Sequence, residues 1–583
     1  MRERSYDGAG CSSVSRHGAI SYAESHMKKM LLVLVACGLL AAQEKVDQAT
    51  DARFRSEELE KSQIMRTLHM LTDRYGPRVT GSPNHEAAAN WVVKQLTDWG
   101  LKNAHLEPWE FGHPGWSNER ASAFIVSPVR ENLKFEVLAW TPSTKGTVTA
   151  SAIQLVPPQG PPRPPAAEST ETAAAAGRGG PGGFPGRGAP TRLGPTKAEM
   201  DEWVKANQSK VSGKVVLMGK AAVIPVNFNP PAKRRDDDLV KAQFSPSNPN
   251  AGRGGFGGRG GDKPDPDRLT PAQATEQIDA MLIAGGAVVR VNDAARGDGV
   301  IVAQQNRAYA PTKTVPTLIL RNDDFGRVER LLADGEDVKM EFQIVNRDYP
   351  EGKTSYNAVG EIPGTDKADE IVMLGGHLDS WHAATGATDN AIGSAIMMEA
   401  VRLIQSMGLK PRRTVRVALW SGEEEGLLGS LAYVKQHFGA AENPRPEWAK
   451  LDCYFNVDTG TGRLRGAGIF GPPEAATVLR PVLAEFTDWG VFGASNTSSR
   501  GIGGTDSTSF NNAGLPGVGF TQDPIEYNTL THHTNLDTYE RIIPDDVQEA
   551  AAIVAAAVWH VANRDEMVPR FTKETMPPPV EPR

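Results

Sequence analysis

Apolar positions recur at helical spacing near the start of the body of the chain. Ile64, Leu68 and Leu71 share one face within 56–75, with Gly76 as a stop, and residues 84–99 repeat the spacing before Gly100. This predicts two amphipathic helices. From about 131 to 345 the pattern changes to short strand-like pieces at 213–218, 287–291 and 317–321, separated by long polar or Gly/Pro-rich stretches. Such a texture predicts a separate, β-rich inserted domain. Beyond 350, apolar runs at 371–374, 415–420, 451–457 and 517–520 alternate with helical patterns; Ile392, Ala395, Ile396, Ala400, Leu403 and Ile404 line one face until Gly408. Strand, helix, strand in that order predicts an α/β fold with a mostly parallel sheet covered by helices on both faces. Ligands in such sheets bind beyond the carboxyl ends of the strands.

At 583 residues the chain exceeds what one core usually organises, and a hydrophobic fraction of 39% is ample for more than one. The expected division is 51–130 and 346–565 for a catalytic domain, 131–345 for the insert and 566–583 for a flexible tail. Within the insert, 157–195 and 246–266 hold too few large apolar side chains to offset ordering entropy, so both tracts are expected to be disordered. The second contains GRGGFGGRGG, an RNA-binding composition, but a net charge of -7 without a basic face argues against nucleic acid as a partner. In the region 1–42, Lys28 and Lys29 precede an apolar stretch at 30–42 that is too short to span a bilayer and suits a signal peptide core, with Met27 as the start. Cleavage there would release the protein into periplasm or medium. LVAC, ending at Cys37, offers a lipid anchor as the alternative. Of the three cysteines only Cys453 lies in the body, which excludes an internal disulfide there.

The chemistry concentrates at the predicted strand ends. GGHLDSWHAATGATDN supplies His377, Asp379 and Asp389; WSGEEEGLLGS supplies Glu423 and Glu424 at the opening of a helix; FNVDTG supplies Asp458; THHTNLDT supplies His532 and His533. A lone histidine or aspartate in a loop is usually a solvated residue, and paired glutamates in a first helical turn usually answer the helix dipole. Donors at successive strand ends change that balance. His and carboxylate ligands without cysteine suit Zn²⁺, with Mn²⁺ or Co²⁺ as substitutes. His377, Asp389, Glu424, Asp458 and His533 are too many for one catalytic zinc and suit two ions sharing a carboxylate, for which Asp389 is placed. Asp379 is expected to accept the free N–H of the His377 imidazole, leaving Glu423 as general base. His382 reads as structural, Asp506 as a partner of nearby backbone, and Asp537 as either an orienter of His533 or a helix cap.

Taken in order, GGHLDS, TDN, SGEEEGLLGS, NVDTG and HHTNLDT resemble the co-catalytic zinc exopeptidases of the leucyl aminopeptidase and glutamate carboxypeptidase II type, and among them the plasma glutamate carboxypeptidase (carboxypeptidase Q) group. The resemblance covers roughly 350–565 and extends to GPRVTGSPNHEAAANWVVKQL. It implies an inserted protease-associated domain, the same five ligands and the same base. Two departures limit it. Many relatives carry tyrosine just before the last histidine ligand, where this chain has His532, which would take over the oxyanion role. The arginine cluster that grips an acidic side chain in glutamate carboxypeptidase II has no counterpart in the sequence. The expected function is therefore an exported two-zinc exopeptidase acting on peptides or dipeptides, with a homodimer as the analogy. The alternatives are a glutaminyl cyclase-like acyltransferase with one zinc and a non-catalytic receptor-like relative.

Overall fold

The structure, a computed structural model, describes residues 46–162, 192–226, 228, 234–246, 265–306 and 308–580. The expectations for 1–42, including Met27 and Cys37, and for most of 157–195 and 246–266 lie outside these residues. The architecture below is that of the unit Asp47–Arg583.

Two eight-stranded sheets form its framework. In the first, the strands run in the order Lys102–Glu110, Thr354–Ile362, Arg413–Trp420, Lys367–His377, Leu451–Asn456, Gly517–Gln522, Leu464–Phe470 and Ala494–Thr497. Arg413–Trp420, Lys367–His377, Leu451–Asn456 and Gly517–Gln522 are mutually parallel, so their carboxyl ends open on one side. They read as continuous apolar runs because helices cover both faces. Helices Ile392–Ser406 and Pro544–Asn563 bury Ile396, Leu403, Ile553 and Val558 in the same core as Val372, Val417 and Phe455 of the strands. The α/β fold with a mostly parallel sheet is thus observed. Helix Pro83–Asp98 is started by Ser82, whose side chain accepts from His85 N, and by Pro83 at its first position.

The helix expected over 56–75 is instead two, Gln48–Lys61 and Ile64–His69. At the break Gln63 N donates to the Glu399 carboxylate at 2.9 Å in place of a helical acceptor, and Ser62 Oγ donates to Glu58.

The second sheet runs Glu131–Asn132, Gly115–Ser127, Lys339–Tyr349, Val148–Leu155, Val215–Met218, Val289–Asp293, Thr317–Leu320 and Phe135–Val137. It already includes Gly115–Ser127, and it carries helices Lys197–Asn207, Pro271–Gly285 and Asn322–Ala333, so it is α/β rather than β-rich. Two of these helices open on capping boxes, Thr196 with Glu199 and Thr270 with Gln273, signals that the surrounding Gly/Pro tracts obscure.

The described residues touch the margins of one tract expected to be disordered and most of the tail. The described ends of the 157–195 tract pair with each other: Leu193 N donates to Pro161 O at 3.1 Å, and a Cβ on Gly160 would lie 1.9 Å from Gly194 O, an approach only glycine permits. The tail expected over 566–583 is docked near its start, while 572–575 and 578–580 are exposed. Val568 is buried, its N–H donates to Asp452 at 2.8 Å, and Phe571 meets Phe470 edge-on. No helix among the described residues is long and apolar enough to cross a membrane.

Candidate metal centre

His377 is the last residue of its strand, Asp458 lies two residues beyond Leu451–Asn456, and Glu423 and Glu424 follow Arg413–Trp420. The glutamates occupy a turn; the helix expected to begin with them starts only at Leu428. Asp389 sits in the turn before Ile392–Ser406. That helix can start against the sheet because Gly393 has no side chain, since a Cβ there would meet Val457 O at 2.4 Å. His533 is held at φ 61, a conformation uncommon outside glycine.

The five candidate ligands converge, and Asp389 stands between two groups of them. His377 Nε2 lies 3.4 Å from Asp389 Oδ1 and 3.4 Å from Asp458 Oδ1. On the other side, His533 Nε2 lies 3.2 Å from Asp389 Oδ2 and 2.8 Å from Glu424 Oε2. Two donor clusters result, His377–Asp389–Asp458 and Asp389–His532–His533, each with ligand atoms within 4.8 Å of one another. His377 Nε2, Asp389 Oδ2, Glu424 Oε1 and Asp458 Oδ1 are buried without a hydrogen-bond partner. Orphaned donor atoms gathered in one hollow are what a cation site requires, so these residues fit a metal.

The charges agree. Burial pushes the Glu424 carboxyl well above its ordinary range, and neighbouring Asp389 adds to the effect. Burial does the same to Glu423, opposed by His377 and reinforced by Asp458 and Asp506. For His377, burial works against the charged form, but Glu423 and Asp458 outweigh it and hold the imidazole well above its usual value. Concentrated negative charge in a desolvated hollow is relieved by cations.

Glu423 stands at the rim of the first cluster, its Oε2 4.0 Å from His377 Nε2. His532 stacks on His533 at 3.6 Å, its Nε2 3.8 Å from Asp389 Oδ2. Asp379 is fully buried, and its position is more elaborate than expected. The nearest acceptor for His377 Nδ1 is the Asp379 backbone carbonyl at 3.0 Å, with the carboxylate at 3.6 Å. The carboxylate instead accepts Glu423 N at 3.3 Å, Glu424 N at 3.2 Å and the Thr80 hydroxyl at 3.2 Å, so it fixes the turn that carries both glutamates.

Other residues fall differently from the sequence reading. Asp537 accepts Thr388 N at 2.6 Å and Asp389 N at 3.1 Å, holding the turn that carries Asp389. Gln304 faces His533 Nδ1 at 3.0 Å. Asp506 is buried, no backbone N–H donor to its carboxylate is found among the described residues, and burial raises its pKa to about 7. His382 faces away from the hollow, its Nε2–H donating to Val137 O at 2.6 Å.

The sequence reading missed three supports. Arg78, wholly buried, donates to the carbonyls of Leu378, Thr385 and Gly386 and so ties together the loops of His377 and Asp389. Thr80 receives Gly422 N at 3.0 Å. Tyr527 packs edge-on against His532, its hydroxyl pushed well above the usual value by burial and by Asp389 and Asp458. An arginine and a threonine in a glycine-rich turn were the only visible signals for the first two.

Comparison with known proteins places these features in context. Residues 357–558 match the model of peptidase family M28. Carboxypeptidase Q of Mus musculus is 25% identical over 504 residues, 86% of this chain and 86% of its own length. The Rattus norvegicus protein of the same name is 30% identical over 256 residues, 44% of this chain and about half (52%) of the rat protein. Among solved structures, a peptidase M28 precursor from Shewanella amazonensis is similar with a TM-score of 0.58 at 22% identity, over 90% of this chain and 99% of that one. A zinc aminopeptidase from Bacillus subtilis has a TM-score of 0.50 at 17% identity, over 88% and 96% of the two chains.

Proposed function

We propose, from the match of residues 357–558 to peptidase family M28, that the chain is a zinc metallo-exopeptidase that uses two ions, held by His377, Asp389, Glu424, Asp458 and His533, to hydrolyse terminal peptide bonds of peptides or dipeptides. The observation that carries the reading is Asp389, whose two oxygens address separate donor groups. Zinc bound there would polarise the scissile carbonyl and acidify an attacking water. Glu423 Oε2 would hold the proton given up by the attacking water and pass it to the leaving amine, a task suited to a carboxyl whose burial raises its proton affinity. Asp379 keeps Glu423 and Glu424 in register through their N–H groups. His532, with Nε2 3.8 Å from Asp389 Oδ2, would donate to the carbonyl oxygen as charge develops on it.

In the same reading, the signal-like region 1–42 directs export, and the second sheet corresponds to an inserted protease-associated domain. The test is a panel of dipeptides, free, N-acetylated or C-amidated, assayed with and without chelator. Chelator-sensitive cleavage abolished by blocking one terminus is expected, and the sensitive terminus names the polarity. Cleavage indifferent to chelator, or equal on all three forms, overturns the proposal.

A further inference from the structure

Between strands Val289–Asp293 and Thr317–Leu320 of the second sheet, the chain leaves the sheet and passes over the metal centre. Residues 300–306 are hydrogen-bonded along both edges. On one edge, Ala139 N donates to Gln304 O at 3.0 Å, and Asn306 N donates to Ala139 O at 2.9 Å. On the other, Ile301 N donates to Asn535 Oδ1 at 2.8 Å, Asn535 N donates to Ile301 O at 3.1 Å, and Val302 pairs with Thr534. Ile301 and Ala303 are buried beneath. This strap therefore joins the second sheet to the turn carrying His533, and at its centre the Gln304 amide meets His533 Nδ1 at 3.0 Å.

An imidazole that binds a cation through Nε2 must keep its proton on Nδ1, which then needs an acceptor. For His377 that acceptor is a fixed backbone carbonyl. For His533 it is a primary amide, which offers oxygen or nitrogen after a half-turn that exchanges the positions of those two atoms. With Nε2 facing the carboxylates of Asp389 and Glu424, the amide can accept from Nδ1–H when a metal is bound and donate to Nδ1 when Nε2 carries the proton.

Building on the two-zinc reading, we infer that Gln304 is a positioning residue for His533 and sets the affinity of the ion on that side, making it the more readily exchanged of the two. A neutral amide raises the basicity of the ligand less than a carboxylate would. Replacing the amide by a carboxylate should therefore strengthen this site, and removing it should weaken the site, without change at the His377 side.

The experiment is stepwise zinc release from the purified holoenzyme by a chelator of graded concentration, for wild type, Gln304→Leu and Gln304→Glu. Two release steps are expected in wild type. In Gln304→Leu the first step should move to about 10- to 100-fold weaker binding, and in Gln304→Glu it should move the opposite way, with the second step unchanged in both. A simple structural defect would weaken both variants alike. Equal shifts in both variants, a shift of both steps, or no shift overturns the inference while leaving two zinc ions per chain intact; a wild type with fewer than two zinc ions overturns the two-zinc reading and this inference together.

Discussion

Asp537 holds Asp389 by the backbone: one carboxylate oxygen accepts Asp389 N at 3.1 Å while the other accepts the preceding Thr388 N at 2.6 Å. The proposed bridging residue is therefore aimed by a residue 148 positions away in the chain. Asp537→Ala should lower zinc affinity about 10- to 100-fold, as expected when a group supporting a ligand is lost. Zinc retained per chain after dialysis reads this out, and undiminished retention contradicts the role.

The adjacent glutamates should separate cleanly. Glu423→Gln is expected to keep its zinc and lose about 10²- to 10⁴-fold in kcat, the range for a lost general base. Glu424→Gln is expected to lose zinc. Matching zinc contents accompanied by matching activities in the two variants would dissolve the distinction.

His532 packs on His533 yet is assigned a different task. His532→Phe preserves an aromatic ring for stacking and removes the imidazole donor. The expected result is a fall in kcat of about 10²- to 10³-fold with KM little changed. A rise in KM alone would point to substrate binding.

How much of this was legible in sequence depends on distance along the chain. The strand ends were readable because buried parallel strands form continuous apolar runs, so the residues just past 374, 420 and 457 had to share one side of the sheet. Asp379 was recognised from its nearness to His377, but its carboxylate turned out to serve Glu423 and Glu424 through backbone contacts, which no spacing announces. Asp537 suggested a partner for His533 four residues earlier. The positive φ at His533 breaks any helical continuation between them, and Gln304, 229 positions upstream, faces the ring. The tail beyond 566 looked polar and loose, yet one valine and one phenylalanine suffice to dock it.

A pH dependence away from the site follows from His437, the last residue of helix Leu428–His437. Its Nε2 lies 2.7 Å from Glu107 and its Nδ1 3.5 Å from Glu447. Burial alone would lower the imidazole pKa, but the hydrogen bonds to Glu107 and Glu447 outweigh it and raise the value from 6.5 to about 9. The stabilisation is thus fully present below the unfolded value and is lost as pH rises through 9. Between these limits Tm should fall more steeply with pH in wild type than in His437→Gln. Parallel curves would contradict the assignment.

The central claim, that Asp389 joins two cation sites, is tested most directly by counting zinc against protein in purified wild type and in Asp389→Ala. The account predicts two zinc ions per chain, with loss from both sites in the variant. One zinc per wild-type chain, or a variant that keeps its full complement, would contradict it.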